Sequence, residues 1–328
     1  MQKLKDYRRV FDIELTNRCN ALCTFCPRDE TPQQGFMTFE TFKKSVERAA
    51  ELDVFPDMNS TGQGEPTLHP QLIQFAEYAR SLNLPYSMTT NGSLLTEELA
   101  EGLINAGLHR INFSISDLGE DYEEVYALNF NTTKGNIFRF LEMNKARGKP
   151  VEVWVNLVEH DLNRDKLKQY RKFWIEAGVD WFINFKQNNR GGACANGDYF
   201  LQGEEHKSEA EKILAEQNIS PICAAPFTFV FVGWNGQYYI CCNDYRKTTP
   251  LGSIFDFSVE EMDVIKRKSL CSNNPPQACI ECNLDKTNRV REKLYEMDMG
   301  DATQADMDNL ITELREREKS LPDIIQIK

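Results

Sequence analysis

Between Val10 and Phe185 the chain alternates short runs of β-branched and aromatic residues with longer stretches whose apolar positions recur at helical spacing. The strand-like runs are Val10–Leu15, Val54–Ser60, Tyr86–Thr90, Arg110–Ser116, Val151–Val158 and Trp181–Phe185. Helical patterns fill Phe39–Leu52, Leu72–Leu82, Glu97–Ala106, Ile137–Arg147 and Leu167–Ala177. Gly107 and Gly178 stand just past two of these helices, where a left-handed cap is favoured. Such alternation predicts an α/β fold with a parallel sheet built from right-handed βαβ units. Six strands are too few to close an eight-stranded barrel.

Beyond this region the pattern changes. Residues Leu201–Asn218 are acidic and favour helix, and Phe227–Cys241 reads as a hairpin turning at Asn235-Gly236. A second domain is therefore expected from residue 221. The run from Asp285 to Ser320 is charged and helical in propensity, as one or two solvated helices on the outside would be. The expected division is 8–200 for the first domain, 201–220 for a helical connector, 221–285 for the second domain and 286–328 for a charged helical tail. No internal repeat or low-complexity segment is present.

Composition narrows the class. Hydrophobic residues at 41% and charged residues at 27% are ordinary for a globular protein. A net charge of −12 argues against a broad basic surface for nucleic acid. No apolar run is long enough to span a bilayer, so no membrane partner is expected. Asp6, Asp12 and Glu14 interrupt the N-terminal apolar run, which therefore lacks the form of a signal peptide. A cytoplasmic location follows as an expectation. There, ten cysteines point to metal or catalysis rather than disulfides.

The most informative of those cysteines form the run Cys19-x3-Cys23-x2-Cys26, directly after the first strand. A four-iron cluster is normally held by four thiolates, so three in one loop leave one iron open to an exogenous ligand. Structural zinc needs four ligands, and no fourth cysteine or histidine lies near. After the second strand comes Gly62-Gln63-Gly64-Glu65-Pro66. Gly64 permits a close backbone approach, and Glu65 offers an acceptor for a charged amine. Together these resemble the signature of the radical S-adenosylmethionine (SAM) superfamily: the CxxxCxxC loop with aromatic Phe25 before the third cysteine, then the GGEP motif, with Gln63 in place of its first glycine. The resemblance implies a partial (β/α)6 barrel and a first [4Fe–4S] cluster held by Cys19, Cys23 and Cys26. It further implies SAM contacts from Phe25, Gly64, Glu65, Ser114, Ser116 and Asn156. For each serine and for Asn156, a strand-end residue satisfying nearby backbone is an equal reading.

The later cysteines form a second pattern. Cys223 is followed by twelve residues, Gly236, four residues and Cys241, and then by Cys279-Ile280-Glu281-Cys282. This resembles the SPASM and twitch auxiliary-cluster domains, and with no cysteine after Cys282 it implies one auxiliary [4Fe–4S] cluster on Cys223, Cys241, Cys279 and Cys282 in a small α+β domain. A four-cysteine zinc site is the competing reading. Cys242 could replace Cys241, but strand alternation would turn only one of the two toward the cluster. Past the sixth strand, at the end of the sheet where ligands collect, lie Arg190 and Cys194. Arg190 is a candidate for orienting substrate and Cys194 for returning a hydrogen atom; a solvated arginine and an idle thiol are the alternatives. His69 reads as the start of the second helix, and His160 as a base or a satisfied polar residue.

As an enzyme of this kind, the chain is expected to take an electron from a flavodoxin- or ferredoxin-like donor and cleave SAM to a 5′-deoxyadenosyl radical. That radical would remove a hydrogen atom from a small polar substrate such as a sugar or aminocyclitol, and the auxiliary cluster would accept the remaining electron. Peptide maturation or epimerisation is the alternative, and a non-enzymatic electron-transfer module a distant one.

Overall fold

The computed structural model describes residues 9–31, 33–52, 57–160, 162–194, 206–223, 225–272 and 274–319. The first half runs β1 (Val10–Ile13), α1 (Phe39–Ala50), β2 (Asp57–Ser60), α2 (Leu72–Ser81), β3 (Tyr86–Thr90), α3 (Glu97–Asn105), β4 (Arg110–Ser114), α4 (Gly119–Tyr126), α5 (Phe130–Ala146), β5 (Glu152–Glu159), α6 (Leu167–Ala177) and β6 (Trp181–Lys186). All six strands are parallel and follow one another across the sheet. Residues 54–56 of the expected second strand, and 201–205 of the expected connector, lie outside the described residues.

Two helical elements escape the periodicity. In α4 the buried residues Tyr122, Val125 and Tyr126 share the helix with Glu120, Asp121, Glu123 and Glu124, and the preceding Asp117-Leu118-Gly119 reads as a turn. In α5 the first two turns, with Thr132, Thr133 and Gly135, have weak intrinsic helix propensity. They are helical because Asn129 caps Thr132 N–H and because Phe130 and Thr133 are buried.

The remaining elements are α7 (Lys207–Glu216), α8 (Ala225–Thr228), β7 (Phe229–Val232), β8 (Gln237–Tyr239), β9 (Pro250–Ser253), α9 (Val259–Leu270), α10 (Gln277–Ile280), α11 (Lys286–Asp298) and α12 (Gln304–Lys319). The hairpin forms with its tight turn at Gly233–Gly236, but residues 225–228 are helical and Cys241 lies past the second strand. The hairpin is not a sheet of its own. β7 pairs in parallel with β1, so the sheet is continuous, in the order β6-β5-β4-β3-β2-β1-β7-β8-β9. An unpaired β1 would expose a row of backbone donors and acceptors, and β7 satisfies them. The buried pair Arg9–Asp263, at 2.6 Å, ties α9 to the start of β1.

Strand parity divides the sheet's faces. Phe11, Ile13, Met58, Met88, Ile111, Phe113, Val153, Val155, Val230 and Val232 belong to the main core. Asp12, Asn59, Ser87, Asn112, Trp154 and Asn156 take the alternate positions and share the opposite, polar face. The connector and tail are not merely solvated helices. Leu214 of α7, Val290 and Leu294 of α11, and Leu310 and Leu314 of α12 form a second core of their own.

Candidate active site

The motifs found in the sequence converge at one end of the sheet because every parallel strand delivers its C-terminal end there. The loop after β1 carries Cys19, Cys23 and Cys26, and neighbouring segments hold it in place. Asn17 Nδ2 donates to the Gln33 carbonyl at 2.5 Å and its Oδ1 accepts from Gly35 N–H at 3.0 Å. Leu22 N–H and Thr24 N–H donate to the carbonyls of Tyr126 and Val125, at the end of α4. Arg28 closes the loop by donating to the Ala21 carbonyl at 2.7 Å. Burial pushes the Cys19 thiol up to about 11 and that of Cys23 higher still. Both therefore stay protonated at neutral pH until metal takes the thiolate, and cluster assembly must release protons.

Gly62–Pro66 leaves β2 and lies directly on this loop. A Cβ on Gly64 would stand 2.8 Å from Asn17 Cα and closer still to the carbonyl oxygens of Thr16 and Arg18. The close approach that the glycine allows is thus to the root of the cysteine loop. Glu65 N–H donates to the Arg18 carbonyl at 2.8 Å. The Glu65 carboxylate is buried and fully engaged: Oε1 accepts from Thr67 N–H, Thr67 Oγ1 and Thr90 Oγ1, and Oε2 from Asn91 N–H at 2.7 Å. Burial raises its pKa, and these donors oppose the rise. Asn91 in turn donates to Asn20 Oδ1 at 3.0 Å, so Glu65 braces the cysteine loop through the end of β3. Replacing Glu65 by alanine is expected to cost about 1–3 kcal/mol of stability from unpaired buried donors and to weaken SAM binding. Thermal unfolding and calorimetric titration with SAM check the two effects. An unchanged SAM affinity would mean that the motif does not serve that ligand.

Ser114, at the end of β4, and Asn156, within β5, are register partners, and Asn156 Oδ1 is buried without a partner. Ser116 is enclosed within the fold instead. Its Oγ accepts from Tyr126 Oη at 2.9 Å and from Val158 N–H at 3.0 Å. Phe25 is 9% exposed and packs edge-on against Tyr126 and beside His160, each at 5.7 Å between centroids. Both histidines are satisfied. His160 Nδ1 accepts from Leu162 N–H, leaving Nε2 to donate to Asp117 at 3.0 Å. His69 Nδ1 accepts from Gln71 N–H, and its Nε2 donates to the Met37 carbonyl.

Among the C-terminal cysteines, Cys223, Cys241, Cys279 and Cys282 bear on one another, and Cys242 adjoins Cys241. After burial, the charges bearing on Cys241 are those of Cys242, Cys279 and Cys282; those on Cys279 begin with Cys223 and Cys282. Burial comes first for Cys242 too, pushing it up to about 11, followed by the charges of Asp12, Arg190, Lys247 and Cys282. The charge bearing most on Cys242 is that of Asp12, on the polar side of β1. There Glu14 and Lys247 form a buried ion pair at 3.4 Å, with Lys247 Nζ lying 4.1 Å from the Phe231 ring centroid. Burial raises the Asp12 carboxyl to about 7, with Asn59 opposing. Cys194 is buried and its thiol donates to the Phe25 carbonyl at 3.4 Å. The Arg190 guanidinium lies 5.6 Å from the Tyr245 ring, and Tyr245 Oη lies 3.7 Å from Cys26 Sγ.

Several of these residues escape sequence reasoning. Asp12 and Glu14 are visible there only as interruptions of an apolar strand; Gln63, Tyr245 and Lys247 carry no spacing signal. Among the described residues, no three His, Cys, Asp or Glu side chains gather closely enough to hold a single metal ion. The donors do suit the larger group. Three thiols share one loop, and Asn59 Oδ1, Ser87 Oγ, Trp154 Nε1 and Asn156 Oδ1 stand buried and unpartnered on the polar face, where a polar cofactor would pair them.

Comparison with known proteins agrees. The family model described as "Radical SAM superfamily" matches residues 13–173, and the SPASM "Iron-sulfur cluster-binding domain" matches residues 223–283. A tungsten-containing aldehyde ferredoxin oxidoreductase cofactor-modifying protein of Pyrococcus furiosus is 26% identical over 174 residues, covering 51% of this chain and 48% of that one. The chain spans about half the length of the curated relatives it matches first. Among solved structures, Streptococcus suis SuiB bound to precursor peptide SuiA superposes with a TM-score of 0.61 at 14% identity, over 86% of this chain and 71% of that one. BtrN in complex with AdoMet and 2-DOIA gives 0.54 at 17% identity, over 86% and 94%. At such identities the likeness is one of fold.

Proposed function

From a chain that carries a radical SAM domain followed by a SPASM iron–sulfur domain, we propose an enzyme that abstracts a hydrogen atom from a small polar substrate and oxidises it. SAM and its [4Fe–4S] cluster, when bound, supply reductive cleavage to the hydrogen-abstracting radical, and an auxiliary cluster supplies an electron acceptor. Cys19, Cys23 and Cys26 would hold the first cluster, with Glu65 and Asn91 fixing their loop. Ser114 and Asn156 would meet SAM. Cys223, Cys241, Cys279 and Cys282 would hold the auxiliary cluster with no open iron. Arg190, over the Tyr245 ring, would orient a substrate hydroxyl, and Asp12 would receive a proton from it.

The observation that carries oxidation is the state of Cys194. Its thiol is buried on the Phe25 carbonyl, which does not suit it to hand a hydrogen atom back to a substrate. A second reading, redox-neutral epimerisation, rests on Cys242, whose buried thiol feels the charges of Asp12, Arg190 and Lys247 before that of Cys282. SuiB, whose structure is described with a precursor peptide, makes a peptide the natural substrate of that reading.

The test is a screen of sugars, aminocyclitols and peptides for substrate-stimulated SAM cleavage, followed by product mass. Loss of two mass units with one SAM consumed per turnover is expected. One deuterium gained from heavy water at an unchanged oxidation level would instead establish epimerisation, and Cys242→Ala should then stop product release while SAM cleavage continues.

A further inference from the structure

The turn Asn243–Lys247, which follows Cys241 and Cys242, touches the first-cluster site from several sides. Gln63 Nε2 donates to the Tyr245 carbonyl at 2.8 Å, and Thr31 Oγ1 reaches the same oxygen at 3.5 Å. Arg246 pairs with Glu30 at 3.0 Å and with Glu281 of the CxxC segment at 3.1 Å, and it donates to the Gly192 carbonyl. Lys247 pairs with Glu14. At the centre, Tyr245 is 6% exposed and its hydroxyl stands 3.7 Å from Cys26 Sγ. Gln63, the residue that departs from the usual motif, is thus one of the supports that hold Tyr245 against the cysteine loop.

A thiolate that ligates iron has no proton to give, so in this contact the tyrosine hydroxyl must donate. We propose that Tyr245 is a positioning residue for the first cluster: its hydroxyl hydrogen-bonds the Cys26 sulfur and raises the cluster's reduction potential. The C-terminal domain thereby sets how readily the first cluster accepts its electron. The physical cause is that the added electron spreads onto the cluster sulfurs, where a donor aimed at one of them stabilises the reduced form. The proposal rests on the reading of Cys26 as a ligand. It concerns the hydroxyl alone, since phenylalanine would keep the ring and its packing against Arg190.

The experiment compares reconstituted wild-type protein with Tyr245→Phe in a redox titration followed by electron paramagnetic resonance. The first cluster is identified as the signal that changes when SAM is added. The variant is expected to hold the same iron and to lose about tenfold in the reduced-to-oxidised ratio at a fixed potential, which is 59 mV for one electron. The auxiliary signal should keep its midpoint. In wild-type protein, electron–nuclear double resonance should also show a proton coupled to the first cluster that exchanges in heavy water. That measurement decides the matter if the variant fails to hold iron. An unchanged midpoint, or no exchangeable coupled proton, overturns the role of Tyr245. Absence of any SAM-responsive signal from wild-type protein would overturn the ligand assignment itself.

Discussion

Replacing Cys19, Cys23 and Cys26 together by alanine is expected to halve the iron of reconstituted protein, from about eight to about four per chain, and to abolish formation of 5′-deoxyadenosine. The loss should be complete because the one other described cysteine of the first domain, Cys194, whose thiol donates to the Phe25 carbonyl of this loop, cannot hold a cluster alone. The fold should survive, since the loop is held by Asn17, Arg28 and the carbonyls of Tyr126 and Val125, none of which involves a thiol. Iron and sulfide analysis, circular dichroism and chromatography of SAM products check the three parts. Eight irons remaining in the triple variant would refute the assignment of the loop.

The second large effect separates two adjacent residues. Cys241→Ala is expected to leave about four irons, while Cys242→Ala should keep about eight. Besides its neighbour Cys242, both Cys279 and Cys282 bear on Cys241, whereas Cys242 feels Asp12, Arg190 and Lys247 before Cys282. The reversed result would exchange their roles. About four irons accompanied by one zinc in wild-type protein would replace the auxiliary cluster by a metal ion.

The strand–helix alternation and the cysteine loop were readable because each is local. Tyr86–Thr90 and Leu167–Ala177 form over the residues their own periodicity marks. The αL caps at Gly107 and Gly178 also form where expected, with φ of 79° and 100°. The first turns of α5 were not readable, because a cap and burial outweigh the weak propensity of Thr132, Thr133 and Gly135. Nor was the burial of Ser116: strand-end serines look alike in sequence, and only the arrival of Tyr126 and Val158 encloses this one.

From the amino-acid order alone came the parallel α/β class, the open-iron cysteine loop, the glycine–glutamate turn and the two-part auxiliary cysteine pattern. Each depends on spacing within a few residues, where chain geometry leaves little choice. Tertiary structure decided the rest. It carried β7 across to the free edge of β1, joining two expected domains in one sheet, because unpaired backbone groups there would have gone unsatisfied. It buried Asp12 beside Asn59 and turned Glu14 from an interruption into the partner of Lys247, a residue 233 positions further along the chain. And it set Tyr245 against Cys26, a contact between residues 219 apart that no local pattern encodes.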